Sequence, residues 1–263
     1  MHPLFGLIFF LLFAVTGVPV SAQTSYYDDY AVLLANYVSH GVVDYAGLKE
    51  HGGHVNRVLD VMASVDPQRL SDADRIAYYI NVYNAWTLQL ILEHWPGIRS
   101  IKEAGSLIRS PWKRKFVRLY TGTVSLDAIE HDILRRTFPD PRIHFALNCA
   151  SRSCPALAAE PYQGRTLSEQ LQARTAAFIN NSANTFVRDG RLHVSRIFDW
   201  YGEDFGGRDG IWTFIRRSAG PTLAAAMDAV TDRRLVFTEY DWSLNDRPLP
   251  GRSSGAGDAA GQP

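Results

Sequence analysis

The stretch His144-Phe-Ala-Leu-Asn148-Cys149-Ala-Ser-Arg-Ser-Cys154-Pro155 concentrates residue types that do covalent chemistry, and it holds both cysteines of the chain. A thiol attacks as the thiolate, which needs a pKa depressed by a helix N-terminus, a neighbouring imidazolium, or both. Pro155 is a good first helical residue, so the spacing predicts Cys154 at the N-cap of a short helix through Ala159. Cys149 follows a predicted strand, at the kind of strand-to-turn junction where nucleophiles are presented. A base must reach the thiol within about 3 Å, and a third group must orient that base. His131 and His144 lie close in sequence, and Glu130, Asp132 and Asn148 are candidate orienters. The leading scheme takes Cys149 as nucleophile and His131 as base. Cys154 is then the resolving thiol or the alternative nucleophile.

Other readings of the same residues stand beside this one. In a strict strand His144 and Asn148 share one face and Cys149 takes the other, which makes His144 equally a buried structural imidazole. His131 falls at the edge of the apolar stripe Leu126, Ile129, Ile133 and Leu134, where a solvated histidine is ordinary. A papain- or transglutaminase-like order puts Cys before His and Asp, with His193 and Asp199 or Asp204 as the candidates. In an exported protein the Cys-x4-Cys pair is also a disulfide candidate. So small a ring stabilises by only about 2 kcal/mol, so the bond would mainly shape the loop. His131, His144, Cys149 and Cys154 contain the ligand types of a Cys2His2 zinc site, but not its close-pair spacing. The cluster His40, His51 and His54 reads as solvated loop. No metal or cofactor is expected.

The elements that must position these groups can be read from caps and periodicity. Helices are expected over Tyr26–Tyr37 and from about Leu48 to Ser64, with a short strand around Gly41–Tyr45 between them. Ser71 with Asp74 caps a long helix over Asp72–His94, stopped by Trp95-Pro96-Gly97. Its Asn81 and Asn84, poor residues for a helix interior, point to a buried hydrogen-bond network. A hairpin is expected over Phe116–Val124. Ser125 then caps a helix with Asp127 in its first turn and Arg135-Arg136 in its last. Ile143–Asn148 alternates like a buried strand. Thr166 with Glu169 reads as a capping box for a helix to Asn180. Asp189-Gly190 turns a second hairpin. Helices around Ile211–Arg217 and Thr222–Val230 precede a last strand, Leu235–Tyr240. Trp200, Tyr201, Phe205 and Trp212 read as core aromatics. Helices and hairpins without βαβ alternation give an α+β class: one domain with helices packed on a mostly antiparallel sheet.

Residues 1–22 read as a secretory signal: an apolar run from Leu4 to Val15, too short to span a membrane, then Val20-Ser21-Ala22 as a cleavage site. Residues 24–247 form the globular domain, and 248–263 a disordered tail rich in Ser, Gly and Ala. Lys+Arg 27 against Asp+Glu 27 leaves no net charge, which argues against nucleic acid or a membrane surface as partner. No phosphate-binding glycine loop, serine elbow or zinc-helix motif is present.

The thiol segment, with Tyr79-Ile-Asn-Val-Tyr-Asn84-Ala85, Ile129-Glu-His-Asp-Ile-Leu-Arg135, Ile197-Phe-Asp-Trp-Tyr201 and Glu239-Tyr-Asp-Trp-Ser-Leu-Asn245, resembles the domain-of-unknown-function 547 family. The match runs over about residues 70 to 245 and is of the exported bacterial type. The resemblance implies no settled activity. The residues lead to a periplasmic or secreted thiol-dependent hydrolase or acyl transferase acting on a small-molecule or peptide substrate. The alternative is a non-catalytic binding or structural domain with a Cys149–Cys154 disulfide.

Overall fold

The element that organises the fold starts at Ser71. Its hydroxyl accepts the Asp74 N–H at 3.2 Å and donates to the Asp74 carboxylate at 2.7 Å, and acidic Asp72 and Asp74 sit where the helix dipole favours them. The resulting helix, α4, is Asp72–His94 as expected. It is buried along most of its length, Asn81, Asn84 and Thr87 included, and a helix apolar on nearly every face belongs inside. The computed structural model describes residues 21–105 and 110–247. The signal segment lies outside these up to residue 20, as does the tail 248–263.

Before α4 come α1 (Ser21–Tyr37), the two-residue strands β1 (Val38–Ser39) and β2 (Val42–Val43), α2 (Tyr45–Glu50) and α3 (Gly52–Ser64). The helix expected over Leu48–Ser64 is thus broken at His51, whose ring Nδ1 lies 3.0 Å from the Gly47 carbonyl. His54 is on the first turn of α3, not in a loop. After α4 comes the hairpin β3 (Lys115–Leu119) and β4 (Gly122–Ser125), antiparallel and turned at Tyr120-Thr121. Ser125 Oγ then accepts the Ala128 N–H at 3.1 Å and opens a π-helix, Ala128–Arg135.

The remainder is α5 (Leu167–Ile179), β5 (Thr185–Arg188), β6 (Arg191–Val194), α6 (Ile197–Trp200), α7 (Gly207–Ser218), α8 (Pro221–Asp228) and β7 (Asp232–Phe237). β5 and β6 pair antiparallel across Asp189-Gly190, and β7 joins β6 in parallel. Thr166 makes no N-cap hydrogen bond to α5, so the expected capping box does not form. The class is α+β, with short sheets of two and three strands. Among the described residues no helix is long and apolar enough to cross a membrane.

Two expectations around the cysteines need correction. Ile143–Asn148 is no strand. Asp140 accepts the Arg142 N–H at 3.0 Å and Pro141 starts a 3-10 turn, Pro141–Phe145. Nor does a helix follow Pro155, so Cys154 caps none. Two buried clusters meet here. Ile143, Ala146, Leu147 and Ala150 pack with α1, α3 and α4. Phe145 packs with α5, β6 and α7. The thiol segment runs along the seam.

Candidate active site

With no strand partner, the segment's buried backbone groups still need hydrogen bonds. Helix α4 supplies them. Asn84 Nδ2 donates to the Ala146 carbonyl at 2.9 Å, and its Oδ1 accepts the Asn148 N–H at 2.8 Å. Asn81 grips Tyr162 in the same way, through its carbonyl at 2.8 Å and its N–H at 2.9 Å. The expected buried asparagine network is present, and its task is to hold the loop. Asn148 clamps the loop from within: Nδ2 donates to the Pro155 carbonyl and Oδ1 accepts the Ala150 N–H. Both ends of its side chain are therefore engaged by the loop and neither by a histidine. The C-terminal segment closes the other side, with the Arg152 and Ser153 N–H groups on the Ser243 and Asp241 carbonyls.

This loop sets Cys149 into a cavity of about 220 Å3 whose lining includes Glu130, His131, His144 and Cys154. Five of the six residues favoured from the sequence thus face one space, Asn148 supporting it from behind. Ala150, next to Cys149, has φ 59°, a left-handed conformation that a non-glycine residue rarely adopts and that clusters at functional sites. Both cysteines are free thiols. Cys149 Sγ lies 3.1 Å from Ser151 Oγ and 3.3 Å from the Tyr240 hydroxyl. The Cys149 N–H donates to Cys154 Sγ at 2.7 Å.

Burial pushes the Cys149 thiol up, but hydrogen bonds from Cys154, Ser151 and Tyr240 outweigh it and bring it down to about 7. Burial, with the hydrogen bond and charge of Cys149 beside it, pushes Cys154 well up. The two thiols are therefore inequivalent: Cys149 ionises more readily than an ordinary thiol and Cys154 less readily. Burial and the nearby sulfurs also hold the Tyr240 hydroxyl protonated, so it stays a donor.

No imidazole hydrogen-bonds to Cys149 Sγ among the described residues. His131 sits on the π-helix with Arg135 Nη1 at 2.8 Å from its Nδ1 and Asp127 Oδ1 at 3.8 Å from its Nε2. Because arginine only donates, Nδ1 accepts and the ring proton sits on Nε2, toward Asp127. His144 is buried, stacked on Tyr201 with ring centroids 4.0 Å apart. Its Nε2 lies 2.7 Å from Asp204. A carboxylate only accepts, so Nε2 donates to Asp204. Asp204 is held in turn by a bidentate contact from Arg135 at 2.6 and 2.7 Å. His144 and Arg135 keep its carboxyl well below the usual range. Glu130 is buried and accepts the Tyr201 hydroxyl at 2.6 Å and the Tyr83 hydroxyl at 3.2 Å.

Of the other candidates, Asp132 is exposed and Asp199 pairs with Arg196 at 3.1 Å. His193 lies on β6, stacked on Phe186, and is absent from the cavity lining. Among the described residues no group of three or more His, Cys, Asp and Glu side chains is arranged to hold a metal ion. Asp204, a candidate from the papain-like order, pairs with His144 rather than His193, and local sequence carried no sign of Tyr201 or Tyr240 as partners of the thiol segment, which come from far along the chain. Trp200, read as core, is 44 % exposed at the cavity mouth.

Residues 67–179 match the family model described as "Protein of unknown function, DUF547", the family of the motif resemblance, while the motifs at 197–201 and 239–245 lie outside the matched span. The matched span contains the π-helix and both cysteines; the cavity residues Ile197, Trp200, Tyr201, Tyr240 and Trp242 lie beyond it. No curated protein and no solved structure matches the chain.

Proposed function

We propose that the protein is an exported thiol-dependent hydrolase or acyl transferase with Cys149 as nucleophile and the His144–Asp204 pair as its proton carrier. The observation that carries this reading is Cys149 Sγ in a cavity, held by two hydroxyls and poised near neutral pH. His144 is favoured over His131 because Asp204 engages only its Nε2, whereas both nitrogens of His131 face charged side chains. In the reaction the thiol gives its proton to Nδ1 of His144. The sulfur attacks the carbonyl carbon of an ester, thioester or amide, and the protonated Tyr240 hydroxyl donates to the developing oxyanion. The bond to the leaving group breaks, the electron pair departs with that group, and His144 returns the proton to it. Water, or an acceptor hydroxyl or amine, then attacks the thioester as His144 takes its proton, the thiolate leaves, and His144 returns that proton to the sulfur. Export rests on the signal-like segment 1–22.

The test is incubation with a small activated ester, followed by mass analysis of the Cys149 peptide. An acyl adduct on Cys149, lost in Cys149→Ala and slow to clear in His144→Ala, is expected. Ester cleavage unchanged in Cys149→Ala would sink the proposal.

A second reading draws on the short contact between the Cys149 amide and Cys154 Sγ, which keeps the two sulfurs close. In an oxidising compartment the pair would lose two electrons and two protons to a thiol oxidant, and the domain would be a binding module with a clipped loop. Alkylation of the isolated protein separates the two. Labelling of Cys149 without reductant favours the enzyme, and labelling only after reduction favours the module.

A further inference from the structure

The cavity beside Cys149 has a lining of uneven character. One side is a run of aromatic rings in mutual contact: Trp112 and Trp242 at 6.0 Å between centroids, Trp242 and Tyr240 at 4.5 Å, and Trp200 4.8 Å from Tyr240 and 5.5 Å from Trp242. The lining also contains two carboxylates, Glu130 on the π-helix and Asp127 at its N-cap. Tyr201, next to Trp200, donates to Glu130. Among the described residues the lining contains no lysine or arginine. Its two imidazoles already face carboxylates, His144 at Asp204 and His131 at Asp127.

Ring faces are negative, and a cation within about 6 Å of a centroid is attracted, most strongly by tryptophan. The wall already holds one such contact: Lys102 Nζ lies 3.9 Å from the Trp242 centroid, though Lys102 is not part of the lining. A volume of about 220 Å3 suits one small group rather than an extended chain.

We infer that this cavity binds an ammonium group, seated between the Trp112–Trp200–Tyr240–Trp242 wall and the carboxylates of Asp127 and Glu130, so that the acyl donor is a small cationic ester, thioester or amide. The inference rests on the proposed acyl chemistry for the word donor. The ammonium site itself stands on the lining alone.

The experiment is a ligand-observed NMR titration of the Cys149→Ala protein, which binds without turnover. The probes are choline, its neutral carbon isostere 3,3-dimethylbutan-1-ol, and glucose. Choline is expected to bind at least tenfold more tightly than the isostere. Trp200→Ala or Asp127→Asn, added to Cys149→Ala, should each weaken choline several-fold and leave the isostere little changed. Equal affinity for choline and the isostere, tighter binding of glucose, or no choline binding overturns the inference. If Trp200→Ala does not fold, the choline-to-isostere ratio decides alone. Because these titrations use a protein without the thiol, a missing acyl adduct in the wild type would refute the acyl chemistry and leave the ammonium site standing.

Discussion

Replacing Tyr240 by Phe removes one hydroxyl, 3.3 Å from Cys149 Sγ, and keeps the ring that packs on Trp200 and Trp242. The sulfur retains Ser151 Oγ at 3.1 Å and its contact with Cys154. Hydrogen bonds to charged groups contribute about 1.5–3 kcal/mol, and 1.36 kcal/mol corresponds to about one pKa unit. Taking the low end, because Ser151 and Cys154 can tighten, the thiol rises from about 7 to roughly 8. The assay is the rate of iodoacetamide alkylation of the Cys149 peptide against pH, resolved by mass from that of Cys154. The midpoint should move up by about one pH unit in Tyr240→Phe and much less in His131→Ala, whose imidazole is engaged by Arg135 and Asp127. The same depression links to stability. A group whose folded pKa lies below its unfolded value contributes stability that is full above the unfolded value and lost as pH falls through the folded one. With an ordinary value of 9.0 and a folded value of about 7, thermal stability should rise between those pH values in the wild type. It should rise less in Tyr240→Phe and not at all from this source in Cys149→Ser. An unmoved midpoint in Tyr240→Phe, with a displaced one in His131→Ala, would refute the hydroxyl account and return the thiolate's stabilisation to the imidazole.

Tyr201→Phe deprives buried Glu130 of its shorter hydrogen bond, at a cost of about 1–3 kcal/mol; calorimetry should show Tm falling by roughly 2–4 °C per kcal/mol. Asn84→Ala breaks the bonds to the Ala146 carbonyl and the Asn148 N–H together, so chemical denaturation should show a loss of about 2–4 kcal/mol, and Cys149 alkylation should slow as the loop loosens. Asp204→Asn removes the charge that orients His144. Because the carboxyl of Asp204 is held low, its stabilisation is full above the ordinary carboxylate pKa near 4 and disappears as pH falls further. The variant should therefore be less stable than wild type at neutral pH and converge with it in acid-denaturation curves.

The parts of the fold legible in the sequence are those with local chemistry behind them. Ser71 and Asp74 start α4, Ser125 starts the helix that carries His131, and Asp189-Gly190 turns β5 into β6. Ile143–Asn148 misled because alternation marks a strand only where another strand completes the ladder. Here the side-chain amide of Asn84 takes backbone groups that a neighbouring strand would have taken, and Pro141 tightens the start into a 3-10 turn. Pro155 does not start a helix because the loop uses its carbonyl for the Asn148 amide. The sequence around residues 125–137 announced a helix, but a π-helix differs from an α-helix by one residue per hydrogen-bonded turn, which no cap or periodicity in so short a stretch resolves. As for the site, the types and proximity of Cys149, Cys154, His131, His144 and Glu130 were readable. Their pairing was not, because Asp204, Tyr201 and Tyr240 reach them only through the tertiary fold.

The placement of the thiol at a seam couples its chemistry to the packing of distant segments. Three groups determine how Cys149 behaves: its own loop, the tyrosine of the C-terminal segment, and the π-helix–Asp204 network behind His144. Helix α4 anchors the loop through Asn84 and reaches the π-helix through the Tyr83 hydroxyl on Glu130. Tyr240 arrives with residues 241–245, which hold the loop through backbone bonds at Arg152 and Ser153 and through the Asn245 N–H on the Ala150 carbonyl. Asp204 arrives with the segment after α6, fixed by Arg135. Release of the C-terminal segment would remove the hydroxyl donor from the sulfur and three backbone bonds from the loop at once. The thiol would then lose a hydrogen bond that lowers its pKa. The depressed thiol pKa of Cys149 thus depends on contacts from its own loop and from the C-terminal segment, and its alkylation rate against pH reports on the seam rather than on the residues beside it in sequence alone.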